Sequence, residues 1–169
     1  MDTARSIYRV PLLEAALLIG IAFQVSSGLT LFVRGCKHRR GFIAWLQAIS
    51  GAYLALFLLF HIGAVLFGRR ALNLDTNFYF TAAGFHVAPF QFFFTPYYFL
   101  GVMALFVQLA CAAHQRFRHL PRVARVLIVT APPVFGTVAS LLIVLSLAGA
   151  LYPVEVPAQY KATYAPTQR

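Results

Sequence analysis

The stretch Gly41 to Phe67, GFIAWLQAISGAYLALFLLFHIGAVLF, decides the fold class. Its twenty-seven residues carry no formal charge, and a hydrocarbon core is crossed by roughly 20 residues of helix. Within it, His61 is the one side chain that titrates near neutral pH. Eight residues separate His61 from Arg69, which at helical rise puts the imidazole roughly 12 Å inside the membrane from that end. A polar group at such depth is costly against lipid and belongs in a protein interior, so His61 is the first candidate functional residue.

Outward from this stretch the chain keeps the same character. Of its 169 residues 60% are apolar and 11% charged, the composition of a membrane protein too short to carry a large soluble domain as well. Three more windows reach spanning length: Pro11 to Val33 with the single acid Glu14, Pro89 to Ala113, and Val126 to Pro153. Glu14 and the lack of an Ala-x-Ala style cleavage site argue against a signal peptide, so the first window counts as mature structure. The sequence predicts an all-α, integral membrane four-helix bundle, a single membrane domain over 1–169. Its helices run at about 11–33, 41–67, 89–113 and 126–153, followed by a loosely ordered tail, 154–169.

The formal net charge of +10 sits in loops beside apolar spans, which points to the lipid bilayer, its anionic head groups or a partner protein rather than to nucleic acid. Arg34, Lys37, Arg39, Arg40, Arg116, Arg118, Arg122 and Arg125 fall on one membrane side with no acid among them, the basic face. Arg5, Arg9, Arg69, Arg70, Lys161 and Arg169 fall on the other with all four acids, Asp2, Glu14, Asp75 and Glu155, the mixed face. Eight against six basic residues favours a cytoplasmic basic face. Cys36 and Cys111 lie near the basic face, where a bridge is permitted but not predicted, and no C-x-x-C or metal spacing occurs.

The polar residues of the spans follow helical steps. On helix two, steps of three and four from Gln47 lead through Ser50, Leu54 and Phe57 to His61, so Gln47, Ser50 and His61 share a face that should meet other helices or a cofactor. Ser50 and Gly51 leave room for a flat ring or a neighbouring backbone. Gly20, Gln24, Ser27 and Gly28 form a small and polar stripe on helix one suited to a helix interface. Glu14 has two readings: an acid favoured by the helix dipole in a first turn, or part of a polar pocket with His61. On helix three, Tyr97 or Tyr98 reaches the depth of His61, and Tyr97, Gly101, Ala104, Gln108 and Cys111 mark an inward face. Ser146 on helix four reaches that depth too. His86, ending the aromatic connection after Arg69, is either a surface histidine or a neighbour of His61. His114 closes helix three at the opposite side, where the dipole favours positive charge.

The run Gln47-Ala48-Ile49-Ser50-Gly51-Ala52-Tyr53-Leu54-Ala55-Leu56-Phe57-Leu58-Leu59-Phe60-His61 resembles the haem-bearing helix of the cytochrome b membrane-anchor subunits of succinate:quinone and fumarate:quinone oxidoreductases. Their shared pattern is Q-x-x-[ST]-G-x-x-L-x-x-F-x-x-x-H, and His114 with Arg116, Arg118 and Pro121 looks like the histidine and basic turn that close a later helix. The resemblance implies electron transport in a bacterial cytoplasmic membrane, a haem b or quinone site around His61, and docking to flavoprotein and iron–sulfur subunits. It implies His61 as a haem-iron ligand and Gln47, Ser50 and Tyr97 or Tyr98 as ligand-orienting groups. Two-haem relatives draw histidines from four helices, whereas helix one here offers Gln24, Ser26 and Ser27 and helix four only serines. A second ligand would then come from His86, a partner chain or a second copy of this chain. No bond chemistry would fall to the chain itself.

A second function class is a cofactor-free structural or assembly subunit, with His61 satisfied by an interhelical hydrogen bond. A transporter would want an ion path and a broken helix pair, and a hydrolase a nucleophile, base and orienting acid at one depth; the sequence shows neither.

Overall fold

The computed structural model describes residues 11–35, 37 and 40–164. Asp2, Arg5, Arg9, Cys36, Arg39 and Arg169, and with Cys36 the permitted bridge to Cys111, lie outside the described residues. The regular structure of the described residues is all helical: α1 (Pro11–Gly35), α2 (Phe42–Arg70), α3 (Phe78–Ala83), α4 (Gln91–Arg116), α5 (Arg122–Leu147) and α6 (Ala158–Lys161), with a closing 3-10 turn at Ala162–Tyr164. Four of these, α1, α2, α4 and α5, are long and apolar enough to cross a bilayer, and the chain is a multi-pass membrane protein.

The last span begins and ends earlier than hydropathy suggests. Pro121, with extended ψ, sets the start of α5, and the first turn takes in Arg122 and Arg125, which an apolar count leaves out. At the other end Gly149 adopts φ +75°, so the apolar Ala148–Pro153 stretch turns instead of continuing the helix.

Each span packs on its neighbour in sequence: α1 on α2, α2 on α4, and α4 on α5. Among the described residues α1 makes no close approach to α4 or α5, nor α2 to α5, so the four form an open row. Small residues fix the central contacts. A Cβ at Gly136 of α5 would lie 2.7 Å from Phe106 Cβ of α4, and a Cβ at Gly101 of α4 would run into the Phe57 ring of α2. Close helix approach over small residues is how membrane helices gain packing where the solvent is itself apolar.

The densest core is not between the spans but over their mixed-face ends. Ala82, Ala83, Phe85, Val144, Leu147, Val156 and Tyr160 are buried there, with Phe78, Phe80, Phe94, Tyr98 and Tyr164 packed around them. The connection 71–90 and the tail up to Tyr164 thus form an aromatic roof. Asn77 caps α3 by accepting from the backbone N–H groups of Tyr79 and Phe80 (2.9 and 3.3 Å), while its amide donates to Tyr160 Oη at 3.0 Å. The tail expected to be loosely ordered is therefore structured through Tyr164. Val156 and Tyr160, four positions apart, insert from it into the core.

Candidate functional site

His61 projects from α2 just below the roof. Its ring stacks on Phe57 one turn earlier, with centroids 5.3 Å apart and planes 9° from parallel. Tyr98 of α4 meets it edge-on, with the phenol oxygen 3.4 Å from His61 Nδ1. Of the two tyrosines open to this role, Tyr98 takes it. Tyr97 turns to Phe57, donating to its carbonyl at 3.0 Å, while Tyr53 donates to the Tyr97 carbonyl at 3.3 Å. The choice between adjacent tyrosines follows from the rotation of α4, which the Gly101 contact with Phe57 fixes.

On its other side His61 lines a cleft of about 310 Å³ between α1, α2 and the roof. Leu17, Leu18 and Ile21 come from α1, Ile62 and Val65 from α2, and Thr76, Phe80 and Thr81 from the roof. Glu14 and Arg69 line it as well, joined by an ion pair of 3.0 Å, and Arg69 Nε donates to Thr76 Oγ1 at 2.8 Å. Both carboxylate and guanidinium are partly buried, at 32% and 23% side-chain exposure, so this bridge is shielded enough to tie α1 to α2. Both placements read for Glu14 are found: it lies in the first turn of α1, and it lines the pocket shared with His61. The cleft is amphiphilic: aliphatic along the α1–α2 seam, polar where Glu14, Arg69, Thr76 and His61 converge.

The other candidates do not gather here. Gln47 and Ser50 share the face of His61 but precede it by fourteen and eleven residues, roughly 21 and 16 Å along the helix. Their groups are spent locally: Ser50 Oγ donates to the Leu46 carbonyl at 2.7 Å, Gln108 Nε2 donates to the Gln47 carbonyl at 2.7 Å, and Gln115 Nε2 donates to Gln47 Oε1. The space over Gly51 that a flat ring might use holds the Gln108 amide. Cys111 is buried beside this polar cluster, its thiol 3.9 Å from the Ile43 carbonyl.

His86 is drawn away from His61. Its Nε2 lies 3.0 Å from the Leu147 carbonyl, an otherwise unpaired acceptor at the end of α5. His114 lies sixteen residues beyond Tyr98, about 24 Å along α4 toward the basic face. Ser146 pairs with Tyr152 at 2.6 Å. A bis-histidine haem b needs two imidazoles on one iron, and the described residues bring one histidine, His61, to this depth. Among them no group of three or more His, Cys, Asp or Glu side chains gathers either. One chain's described residues therefore do not fit a bis-histidine haem.

Arg69, Thr76 and Thr81 were not singled out from sequence as site residues. The available signal was Arg69 at the membrane boundary, two helical turns from His61, with Glu14 at the matching depth on the preceding helix. No family model, curated protein or solved structure matches the chain.

Proposed function

We propose that the chain is a membrane-anchor subunit of a quinone-linked electron-transfer complex and that the cleft beside His61 binds the quinone head group. The amphiphilic form of that cleft carries the reading. A quinone is a flat ring with two carbonyl acceptors on a long apolar tail, and a cleft of about 310 Å³ lies within the usual size of small-molecule sites. With Tyr98 donating to Nδ1, the imidazole carries its proton on Nε2 and offers it to a ring carbonyl. Thr76 and Thr81 offer hydroxyls at the same wall, and Leu17, Leu18, Ile21 and Val65 suit the first units of a tail. Electrons would come from a docked flavoprotein or iron–sulfur partner, so the chain binds and orients and performs no redox step itself.

The test is a lipid extract of the protein purified from its native membrane, with its dithionite-reduced spectrum. The expected result is quinone close to one per chain, at least tenfold less for His61→Ala at unchanged helicity, and co-purifying flavin and iron–sulfur proteins. Absence of quinone from the wild type would sink the reading and favour a cofactor-free assembly subunit, in which the Tyr98–His61 contact simply satisfies an interhelical polar pair. A b-type α-band in the reduced spectrum would instead bring back haem, with its second ligand from another chain.

A further inference from the structure

Gln24 lies near the middle of α1 (Pro11–Gly35), more than about 15 Å from either end at helical rise. Four of the half-buried residues of α1, Glu14, Leu18, Ile21 and Val25, recur at steps of four, three and four along the side that meets α2. Gln24 falls outside this stripe and is exposed. Ser27 Oγ donates to the Gln24 backbone carbonyl at 3.2 Å, and the side-chain amide has no partner among the described residues. Without a partner, an amide at that depth sits in hydrocarbon with donors and acceptor unsatisfied, a state membrane proteins avoid.

The surroundings of Gln24 show what could satisfy it. Gly20 and Gly28 flank it at four-residue spacing, and a Cβ at either would meet nothing within 4 Å. Gly51, Gly101 and Gly136 are by contrast already filled by Gln108, Phe57 and Phe106. Gly63 is also open, but its helical neighbours Leu59, Phe60, Leu66 and Phe67 are apolar and suit lipid. The amides deep in other spans, Gln47 and Gln108, are bound to each other's helix. The unpartnered buried groups elsewhere among the described residues, Ser140 Oγ and Arg125 Nε, stand on α5, which α1 does not approach.

We propose that this face of α1 is the contact between two copies of the chain, with the Gln24 amides hydrogen-bonded to one another across a two-fold axis. A primary amide carries both donor and acceptor, so it is complementary to itself. A two-fold contact sets each residue near its own counterpart. Gly20 and Gly28 let the two backbones approach closely enough for the amides to meet. The open row of helices agrees with this arrangement, because α1 stands at its edge with one side on α2 and the rest uncovered.

The experiment uses the full-length chain labelled at its amino terminus and reconstituted in phosphatidylcholine vesicles. Single-molecule photobleaching steps and donor–acceptor transfer are followed as protein is diluted in lipid. The expected result is two bleaching steps, with the dimer dissociating at a surface density about five- to tenfold higher for Gln24→Leu. Gln24→Asn should retain most of the association, and Gly28→Ile, which fills the notch and leaves the amide, should weaken it comparably. Gln24→Leu makes the span more apolar, so helicity by circular dichroism should be unchanged. A wild type that is monomeric at all densities, one bleaching in three or more steps, or a dimer indifferent to both Gln24→Leu and Gly28→Ile overturns the proposal.

Discussion

The two ends of the helix row hold their places by different means. Over α4 a third of the most apolar 18-residue window is buried (33%), and its upper end is locked under the roof by Phe85, Val156 and Tyr160; over α1 the corresponding share is 0%. The α4–α5 pair is settled by steric fit, Gly136 against Phe106 and Ser140 with no exposed surface. What ties α1 down, beyond its half-buried stripe on α2, is the Glu14–Arg69 ion pair. In lipid, where burying an aliphatic side chain against another helix gains little over burying it against acyl chains, shape and polar pairs decide which helices stay together. The candidate cleft falls at the junction between the tightly and loosely held parts, lined by α1, α2 and the near edge of the roof.

The sharpest way to break this contrast is at two phenylalanines. Phe85, 7% exposed in the roof core, should cost about 3–5 kcal/mol when changed to Ala. Phe23, 72% exposed on α1, should cost under about 0.5 kcal/mol. Thermal unfolding of the two variants in one detergent compares them, and equal losses would mean that α1 is buried as deeply as the roof. Of intermediate size is Glu14→Gln, which removes the ion pair and keeps the shape. Amide exchange in the first turns of α1 should quicken roughly fivefold, matching about 1 kcal/mol for a partly buried bridge, while exchange in α4 stays unchanged. The smallest effect concerns the roof alone. Burial among Phe90 and Phe94 holds the Tyr164 phenol above its ordinary pKa of 10.0. Because its proton is held more tightly in the folded state, this contribution to roof stability is complete below the ordinary value and fades as pH rises through the folded one. A Tyr164→Phe variant should therefore lose less stability than the wild type between neutral pH and strongly alkaline pH.

How legible this molecule is from sequence depends on which physical term sets each feature. The four spans are readable because hydrocarbon thickness imposes their length, and the structure moves their limits by a few residues at most apart from α5. The shared face of Gln47, Ser50 and His61 was readable too, since periodicity is a local property. Their separation along the axis was equally available, and it divides one polar face into two unconnected places: a polar seam near the basic side, built by Gln47, Gln108 and Gln115, and the cleft near the mixed side. Position on a face is not position at a site. The roof was the least legible part. Val156 and Tyr160 sit in a tail without periodicity, and their burial comes from partners such as Asn77 and Ala82 far back in the chain. The one local clue was Asn77 immediately before Phe78, a helix cap ahead of a short aromatic run. Likewise His86 reads as a surface residue or a ligand, and only the end of α5 reveals the carbonyl it serves.

The hydrogen bond from Asn77 to Tyr160 joins positions 83 residues apart, and it has a bearing on how the protein is made. Synthesis delivers α1, α2 and α3 first, and the residues that complete the roof emerge only after all four spans. Until Val156 and Tyr160 have left the ribosome, the walls of the His61 cleft exist but the connection above them lacks its packing partners. The spans are thus made before the roof above this site has its packing, which Val156 and Tyr160 then supply. A chain cut at Gly149 would keep all four spans and lack the two side chains, Val156 and Tyr160, that fill the roof above His61.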